Sequence, residues 1–331
     1  MPHNSCPVCD GADFRIVADE QQLQQECGLR ERFVQRRLTR QPDPDELKDL
    51  TEFFHAEKAD IFACSRCGLL IRNEHEPPPA QEYSEDEYDP SVMDRQYPDY
   101  LEAFRRKEEP YRCLLPEGAR VVEVGSHYGA FLQAAEEWGW RAEGADPGKD
   151  TSRFAKSKGF TVHVATLEEC AFEAGQFDGV FIWNCFEQID NPKPTLEACR
   201  RILKAGGLLT VRTPDGQFYA ACGRVLRDAS LDSEARDFLL RVLGYNNLLG
   251  FPYLYGYSRS TLTRLIEPSG FTFEGALGAE LIKFPLPEIP RWVEKEEQEI
   301  SSELRRVTDF VVKRGSGDAM GPWLEAWFRA A

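Results

Sequence analysis

Four cysteines near the start of the chain have the spacing of a metal-binding site. Cys6 and Cys9 form one C-x-x-C pair, and Cys64 and Cys67 form a second. Four thiolates around one ion are typical of tetrahedral zinc, and a site with four protein ligands has no open position for chemistry. The spacing therefore predicts a structural zinc site, with a helical insertion in the long interval between the pairs. The alternative interpretation is a group of buried, reduced thiols without a metal.

The other six cysteines are scattered along the chain and do not form the pattern of a disulfide framework. This usage indicates a reducing compartment, and we expect a cytoplasmic protein. His55 and His75 lie near the cysteine pairs in the sequence, but we expect both at the surface.

The segment VVEVGSHYGAFL, residues 121–132, has the pattern of a strand, a tight turn and a helix. A dinucleotide-binding loop would carry glycine at the position of His127. A better match is an acidic residue at the strand end, Glu123, followed by Gly125 and Gly129. The glycines let the backbone turn sharply and approach a ligand, and the following helix N-terminus can face an anion. The alternative is an ordinary strand–turn–helix connection.

Strand-like and helix-like segments alternate from residue 117 to residue 215. This alternation predicts a doubly wound, mainly parallel α/β sheet. Such sheets bind ligands beyond the carboxyl ends of their strands. Asp146 ends the second predicted strand, and a carboxylate at that position can accept both hydroxyls of a ribose. Further along, FTFEGALG and LIKFPL have the pattern of a strand pair.

Changes in composition divide the chain into four predicted regions. Residues 1–75 form a zinc-ribbon-like module with the helical insertion. Residues 76–115 form a linker and a helix, for which the family resemblance given below implies a lid role. Residues 116–285 form the α/β core, which contains an inserted helical and aromatic segment at 216–257. Residues 286–331 form a C-terminal helical tail.

The chain of 331 residues has 40 basic and 56 acidic side chains, and a formal net charge of −16. An acidic surface repels phosphate backbones, so the composition disfavours a nucleic-acid partner. The longest apolar runs are too short to span a bilayer, and the start MPHNSCPVCD has no signal-peptide pattern. We expect no membrane association, and the sequence leaves the oligomeric state open.

Six segments, in their order along the chain, resemble class I S-adenosylmethionine-dependent methyltransferases. They are VVEVGSHYGAFL, GADP, ATLEE, FDGVFIWNCFEQIDNP, LEACRRILKAGGLLTVRTPD and YSRSTLTRLIEPSGF. The similarity is closest to bacterial methyltransferases that begin with a C-x-x-C…C-x-x-C-G zinc-ribbon-like module and a connector containing tyrosines. It covers roughly residues 5–10 and 60–275. The resemblance implies a Rossmann-like, seven-stranded, mainly parallel sheet with a small N-terminal zinc-binding module and C-terminal helical additions.

The resemblance also implies roles for residues at the strand ends. Glu123 would lie near the amino group of the methionine portion of S-adenosylmethionine, and Asn184 would lie near the same portion. Asp146 would bind the ribose hydroxyls, and Thr166 and Leu167 would border the adenine. The other cofactor contacts implied by the family lie in the two turns: Gly125, Ser126, His127, Gly129 and Pro147.

The chain departs from the family pattern at three positions. His127 replaces the usual middle glycine of the turn. Gln188 stands where a histidine is common after Glu187, and Tyr253 stands where a histidine often precedes the last conserved helix. Glu187 and His127 remain the candidates for a general base. The alternatives are a helix-start carboxylate for Glu187 and packing against the cofactor for His127.

The implied function is methyl transfer to a small molecule such as a sugar, a lipid or a secondary-metabolite precursor. The alternatives are an RNA methyltransferase that uses the zinc module, and a non-catalytic relative that binds the cofactor. His127 and Ala130 disfavour a nicotinamide oxidoreductase. Tyr253, Tyr255 and Tyr257 either line an acceptor pocket or belong to the core. The connector tyrosines are implied by the resemblance to form a lid over the cofactor; they are Tyr83, Tyr88, Tyr97 and Tyr100.

Overall fold

The computed structural model describes residues 5–36, 58–75, 90–281, 291–315 and 317–331. His55, Tyr83, Tyr88 and all of the predicted strand LIKFPL except Leu281 lie outside these ranges. The N-terminal module contains β1 (Phe14–Ala18), α1 (Glu20–Arg36), β2 (Ala59–Cys64) and β3 (Leu70–Glu74).

Two helices, α2 (Pro90–Arg105) and α3 (Glu108–Arg112), precede an alternating α/β region. That region consists of β4 (Arg120–Val124), α4 (Ala130–Glu137), β5 (Arg141–Ala145), α5 (Lys149–Ser157), β6 (Thr161–His163), β7 (Phe177–Trp183), α6 (Pro192–Ile202) and β8 (Leu203–Pro214). It is followed by α7 (Gly216–Leu226), α8 (Ser233–Tyr245), β9 (Tyr255–Gly256), α9 (Arg259–Ile266), β10 (Phe271–Ala279), α10 (Arg291–Gly315) and β11 (Trp323–Ala330).

The central sheet has seven strands in the order β10-β11-β8-β7-β4-β5-β6. Strands β6, β5, β4, β7 and β8 are parallel, and β11 pairs antiparallel with both β8 and β10. The predicted Rossmann-like, mainly parallel sheet is therefore confirmed. The chain proceeds outward from β4 in one direction through β5 and β6, and in the other through β7 and β8. The crevice for a ligand is thus expected beyond the carboxyl ends of β4 and β7.

The prediction of a helical tail over residues 286–331 is wrong at its end. Helix α10 forms within this region, but residues 323–330 form β11, which is inserted between β8 and β10. Six of its eight residues are buried. A strand covered on both faces shows no alternation of apolar and polar residues, so its sequence cannot be distinguished from a short buried helix by periodicity.

Local signals set several helix starts around the sheet. Asp215 accepts hydrogen bonds from the backbone N–H groups of Gln217 and Phe218 at the start of α7, and Ser258 and Thr261 form a capping box at the start of α9. Such side chains satisfy N–H groups that have no partner within the helix. Asp215 directly follows β8, so its cap also fixes where the chain turns at the carboxyl edge of the central sheet.

A second sheet has the order β1-β2-β3-β9, with antiparallel pairing throughout. Its first three strands belong to the N-terminal module, whereas β9 belongs to the region after α8. Cys6 and Ile71 also pack in the same apolar cluster as Val124, Phe186 and Tyr257. The N-terminal module is therefore joined to the α/β region by shared strands and a shared core. Among the described residues, none of the helices has the length and apolar character needed to cross a membrane.

Candidate cofactor and acceptor site

The turn between β4 and α4 contains three residues with positive φ. Gly125 has φ 71°, and Gly129, which immediately precedes α4, has φ 77°. A Cβ atom on Gly125 would lie 2.9 Å from the Sγ atom of Cys185, so the turn lies directly against the segment after β7. His127 takes the third positive φ, 46°. The backbone therefore follows a path that favours glycine although the middle glycine is absent.

Asp146, at the end of β5, is hydrogen-bonded to both neighbouring turns. Its Oδ2 atom accepts from the backbone N–H of His127 at 2.7 Å, and its Oδ1 atom accepts from the backbone N–H of Gly148 at 2.8 Å. The hydroxyl of Thr151 also donates to Oδ1, at 3.2 Å. Burial raises the pKa of Asp146, and the two backbone donors act in the opposite direction. Each carboxylate oxygen has two lone pairs; Oδ1 already accepts two hydrogen bonds and Oδ2 one, so Oδ2 retains a lone pair for a ligand.

Glu123, on the neighbouring strand β4, is buried in a different way. Glu123 is only 3% exposed, and its Oε2 atom has no hydrogen-bond partner among the described residues. Burial raises the pKa of Glu123 well above its ordinary value, and the charge of Asp146 adds to this effect. A buried carboxyl oxygen without a partner is costly. It fits a site whose ligand brings a donor.

Glu187 lies in a 3-10 turn, Phe186–Gln188, just after β7. The residue is 1% exposed, and neither of its carboxyl oxygens makes a hydrogen bond of good geometry among the described residues. The side chains of Thr213 and Gln188 nevertheless lie close enough to lower its pKa. Burial raises the pKa of Glu187 to about 7, and the positive charge of Arg212 acts in the opposite direction. Glu187 thus lies in the first turn of a short helix, and the alternative of a helix-start carboxylate stays open beside that of a general base.

Cys185 lies where the three carboxyl groups converge. Its Sγ atom approaches the carbonyl oxygen of Val124 at 3.3 Å. Burial raises the pKa of the Cys185 thiol well above its ordinary value, and the charges of Glu187, Asp146 and Glu123 contribute in that order. Three strand ends thus bring acidic groups to one small region at the switch between β4 and β7. The tertiary structure places together residues that the sequence analysis had assigned to the site separately.

The other residues predicted to contact the cofactor differ in how deeply they are buried. Ser126 is buried, and its hydroxyl has no hydrogen-bond partner among the described residues. Leu167 is buried in the core beyond β6, whereas Thr166 is exposed and binds the carboxylate of Glu169. Pro147 is half-buried. Their contacts with a cofactor stay predictions.

A family model described as a methyltransferase domain matches residues 93–274, more than half of the chain. The chain belongs to the methyltransferase domain family. The match extends from helix α2 through the turn, the three carboxyl groups and α9 into β10. It confirms the class I S-adenosylmethionine-dependent methyltransferase predicted from the motifs.

Several curated relatives share the methyltransferase region. The chain is 31% identical over 173 residues to the ubiquinone biosynthesis O-methyltransferase of Xanthomonas axonopodis pv. citri, covering 49% of this chain and 69% of that protein. It is 30% identical over 149 residues to the enzyme of the same name from Rhizobium etli, covering 43% and 56%. An uncharacterized protein of Methanocaldococcus jannaschii is 28% identical over 154 residues, covering 44% and 73%. The chain thus spans little more than half of one of these relatives.

Solved structures of methyltransferases are also similar. An S-adenosylmethionine-dependent methyltransferase from Mesorhizobium loti is 17% identical, with 66% of this chain and 94% of that chain covered and a TM-score of 0.43. Phosphoethanolamine N-methyltransferase 2 of Haemonchus contortus, in complex with S-adenosyl-L-methionine, is 16% identical, with 79% and 62% covered and a TM-score of 0.44. The fold assignment rests on the strand order described above.

Helix α2 covers the turn of the methyltransferase. The ring of Tyr100 lies 5.6 Å from that of His127, measured between centroids, and the ring of His127 stacks on Tyr128 at 3.7 Å. The Tyr97 hydroxyl donates to Gln133 on α4 at 2.6 Å. Burial lowers the pKa of His127 to about 4. These contacts are consistent with a lid role for α2, with His127 packed beneath it as a neutral side chain.

A buried charge network beside Asn184 was missed by the sequence analysis. Arg212 on β8 is fully buried, and its guanidinium donates to Oδ1 of Asn184 and, at 3.1 Å, to Oε1 of Glu325 on β11. Lys107 also donates to Oε1 of Glu325, and the Tyr111 hydroxyl donates to Oε2 at 2.6 Å. Burial alone would raise the pKa of Glu325, but the charges of Lys107 and Arg212 hold it below its ordinary value. The available signal was a charged residue inside an otherwise apolar stretch of each strand, Arg212 in LLTVRTP and Glu325 in WLEAWF.

The four cysteines of the C-x-x-C pairs form one cluster. The Sγ atoms of Cys6 and Cys67 lie 3.5 Å apart, as do those of Cys9 and Cys64, and all four sulfur atoms lie within 4.8 Å of one another. Tetrahedral zinc with Zn–S bonds of about 2.3 Å requires sulfur atoms roughly 3.8 Å apart. The donor set and its spacing therefore fit a structural zinc ion.

His75 lies elsewhere in the N-terminal module and contacts two carboxylates. Its Nε2 atom is 2.8 Å from Oδ2 of Asp60, and its Nδ1 atom is 3.0 Å from Oε2 of Glu20. Its side chain is 36% exposed. The expectation of a surface histidine agrees with this position, and His75 does not belong to the sulfur cluster.

Proposed function

We propose that the chain transfers a methyl group from S-adenosylmethionine to a small-molecule acceptor, with Glu187 at the acceptor end of the site. The observation that carries this proposal is the packing of Cys185, after β7, against Gly125 and the carbonyl oxygen of Val124 at the end of β4. Glu123 lies in β4, and Asp146 follows β5 and binds the same turn. Glu187 is buried two residues beyond Cys185.

The residues of the turn fit the parts of S-adenosylmethionine. The Oε2 atom of Glu123 would accept from the amino group, and Asp146 would accept from the ribose hydroxyls while its own hydrogen bonds hold the turn. The positive φ values at Gly125 and Gly129 let the backbone approach the ligand. The cofactor supplies an electrophilic methyl group on a sulfonium. The remaining contacts assigned to it are those of Ser126, His127, Pro147, Thr166, Leu167 and Asn184.

Glu187 is suited to accept a proton from the acceptor. A pKa of about 7 leaves part of the population ionised at neutral pH, and an efficient general base has a pKa near the working pH. The neutral ring of His127 lies under α2 and is assigned to enclosing the site rather than to proton transfer. Alignment and exclusion of water are the other main contributions of such an enzyme.

Three observations favour a small acceptor over RNA. The relatives from Xanthomonas and Rhizobium are named for ubiquinone biosynthesis. The net charge of −16 opposes binding of a polyanion. The carboxyl groups of the site are buried beneath surrounding protein, which suits a compact acceptor.

We propose that the cluster of Cys6, Cys9, Cys64 and Cys67 binds one structural zinc ion. Its four thiolates would complete the coordination shell, so the ion would hold β2 and β3 in place without taking part in methyl transfer.

The test combines binding and transfer. Calorimetric titration of the full chain with S-adenosylmethionine should show one site per chain. Incubation with methyl-labelled S-adenosylmethionine should then label a low-mass metabolite fraction, and should leave total RNA unlabelled. Absence of cofactor binding at high micromolar S-adenosylmethionine would contradict the proposal. If only the RNA were labelled, the acceptor would be RNA and not a small molecule. The Asp150→Asn variant serves as a control, because Asp150 lies in the first turn of α5 and pairs with Arg153 at 2.7 Å.

A further inference from the structure

The segment 250–254 approaches the site and is held by two charged side chains of the N-terminal module. The backbone N–H of Gly250 donates to Oε2 of Glu26, on α1, at 2.7 Å. The guanidinium of Arg72, on β3, donates to the carbonyl oxygens of Gly250 and Pro252 at 2.9 Å and 3.2 Å. Arg72 is buried, and Glu26 also accepts from the Tyr219 hydroxyl. The guanidinium hydrogen bonds of Arg72 are charge-assisted and fix a backbone more firmly than neutral ones, whereas burial raises the pKa of Glu26 to about 7.

The same segment is connected to the backbone of Glu187. Beyond Pro252, the carbonyl oxygen of Leu254 accepts from the backbone N–H of Arg72 at 2.9 Å, and the backbone N–H of Leu254 approaches the carbonyl oxygen of Glu187 at 3.3 Å. Strand β9 then pairs with β3 through Leu70 and Ile71. A continuous series of hydrogen bonds thus runs from the N-terminal module to the residue assigned as the base.

Tyr253 lies within this segment and is bonded to a third side chain of the module. Arg30, on α1, is 5% exposed and shares a side-chain hydrogen bond with Tyr253. A guanidinium can only donate, so the Tyr253 oxygen accepts from Arg30. Burial raises the pKa of Tyr253 to about 12, and the charge of Arg30 opposes this effect while that of Glu187 adds to it.

Tyr257 follows β9 and provides an independent indication of a ligand. Its side chain is fully buried, and its hydroxyl has no hydrogen-bond partner among the described residues. Its ring packs on Phe186, next to Glu187, with centroids 5.2 Å apart. The unpartnered Tyr257 hydroxyl and the buried Glu187 carboxyl therefore lie in the same region. Leaving the hydroxyl unsatisfied is costly, and a ligand with a complementary group would remove that cost.

We propose that the N-terminal module forms one wall of the acceptor site, where it presents Tyr253 and Tyr257 to a hydroxyl group opposite Glu187. A hydroxyl can donate to the carboxylate and accept from a tyrosine O–H at the same time, whereas an ammonium group can only donate. In the transfer, the hydroxyl oxygen forms its bond to the methyl carbon, the carbon–sulfur bond breaks to leave a thioether, and Glu187 takes the hydroxyl proton. The inference rests on the proposed function for its acceptor. Glu26, Arg72 and Arg30 are positioning residues.

The first experiment does not require the acceptor. Hydrogen–deuterium exchange of the full, zinc-loaded chain should show that Arg72→Met accelerates exchange at Gly250 and Leu254 by roughly 10-fold or more. Arg72→Lys should restore much of the protection, because lysine can still donate. Asp60→Asn, in the same module but bonded to His75 and Glu20, is the matched control and should leave these two amides unchanged. Unchanged exchange in folded Arg72→Met would overturn the proposal.

The second experiment reads the position of Tyr253 by spectroscopy. With 3-fluorotyrosine placed at residue 253, the ¹⁹F resonance should move in Arg30→Met and in Glu187→Gln, and Arg30→Lys should return it toward the original position. A general loss of packing would not be reversed by lysine. If the resonance is the same in the parent and in Arg30→Met, Arg30 does not position Tyr253.

The third experiment identifies the acceptor atom. The chain is incubated with [methyl-¹³C]S-adenosylmethionine and a low-mass metabolite fraction, and the labelled methyl signals are assigned by heteronuclear NMR. Signals of O-methyl groups are expected, and they should decrease at least tenfold in Tyr257→Phe at unchanged cofactor affinity. Labelled N-methyl or C-methyl products would overturn the hydroxyl assignment. Absence of cofactor binding would instead refute the proposed function. The exchange and ¹⁹F experiments would still test whether Arg72 and Arg30 position the segment 250–254.

Discussion

The backbone N–H of His127 donates to Oδ2 of Asp146 at 2.7 Å, from a residue with φ 46°. The turn therefore needs a positive φ and a backbone donor at this position, and both can be supplied by a residue other than glycine. The side chain of His127 adds a stacking contact with Tyr128 and a contact with Tyr100 of α2. The substitution that makes the segment a poor dinucleotide loop thus links the turn to α2.

Replacement of Asp146 tests the cofactor end. In Asp146→Asn, one charged acceptor becomes a neutral amide, so we expect the affinity for S-adenosylmethionine to fall roughly 10- to 150-fold, equivalent to about 1.5–3 kcal/mol. Calorimetric titration measures the change. Asp150→Asn, a few residues further on in α5, should retain the parent affinity. Equal losses in both variants would show that the effect comes from α5 rather than from ligand contact.

His127 should make the fold sensitive to acid. Its pKa in the folded protein is about 4, below the ordinary value of 6.5, so the unfolded chain binds the proton more readily. Its contribution to stability is complete above pH 6.5 and is lost as the pH falls toward 4. We expect Tm to decrease less over this interval in His127→Gln than in the parent protein. A parallel pH dependence of Tm in the two proteins would exclude a titrating His127.

Glu187 has the opposite relation to pH. Its pKa is about 7 in the folded protein against an ordinary value of 4.5, so the folded state holds the proton more tightly. Its favourable contribution is complete below pH 4.5 and is lost as the pH rises through 7. Glu187→Gln should therefore raise Tm at pH 8 relative to the parent. Transfer of label should fall by about 10²- to 10⁴-fold, the usual contribution of a general base.

The exposed Asp190→Asn variant is the control for Glu187, because it removes a carboxylate three residues away. We expect it to change neither Tm at pH 8 nor the transfer rate. A Glu187→Gln variant with parent activity would remove Glu187 from the mechanism.

The sulfur cluster should bind one zinc ion per chain. Mass spectrometry under native conditions should show this stoichiometry, and Cys64→Ser should reduce the bound zinc at least tenfold because three thiolates hold the ion less tightly than four. Cys113→Ser, at an exposed cysteine outside the cluster, should keep the full amount. A metal-free parent protein prepared with zinc present would contradict the site.

The buried network around Arg212 should be sensitive to loss of its acidic partner. Glu325→Ala leaves Arg212 and Lys107 without their shared carboxylate, and we expect the free energy of unfolding to fall by about 3–5 kcal/mol. Urea denaturation measures it. Glu274→Ala removes a half-exposed partner of Arg329 on β10 and should cost less than about 1 kcal/mol. Similar losses in the two variants would show that burial of the network is not the cause.

The candidate site was predictable where its signals are local. The C-x-x-C pairs and the carboxyl groups at the ends of β4 and β5 depend on spacing within short segments, and the strand–helix alternation is repeated often enough to identify the sheet. Positive φ at His127 and burial of Glu187 could not be foreseen in this way. Both depend on what packs against the turn, namely α2 in one case and the segment around Tyr257 in the other.

By itself, the sequence determined the chemistry available: four thiolates at metal-ligand spacing, and acidic residues at successive strand ends of a parallel sheet. The tertiary structure alone decided how distant residues combine. Glu26 and Gly250 are separated by 224 positions, and Arg212 and Glu325 by 113. Strand β11 joins the sheet because both of its faces are covered there, although its residues have no strand periodicity. Such pairings depend on burial and charge in the assembled core, which no short segment encodes.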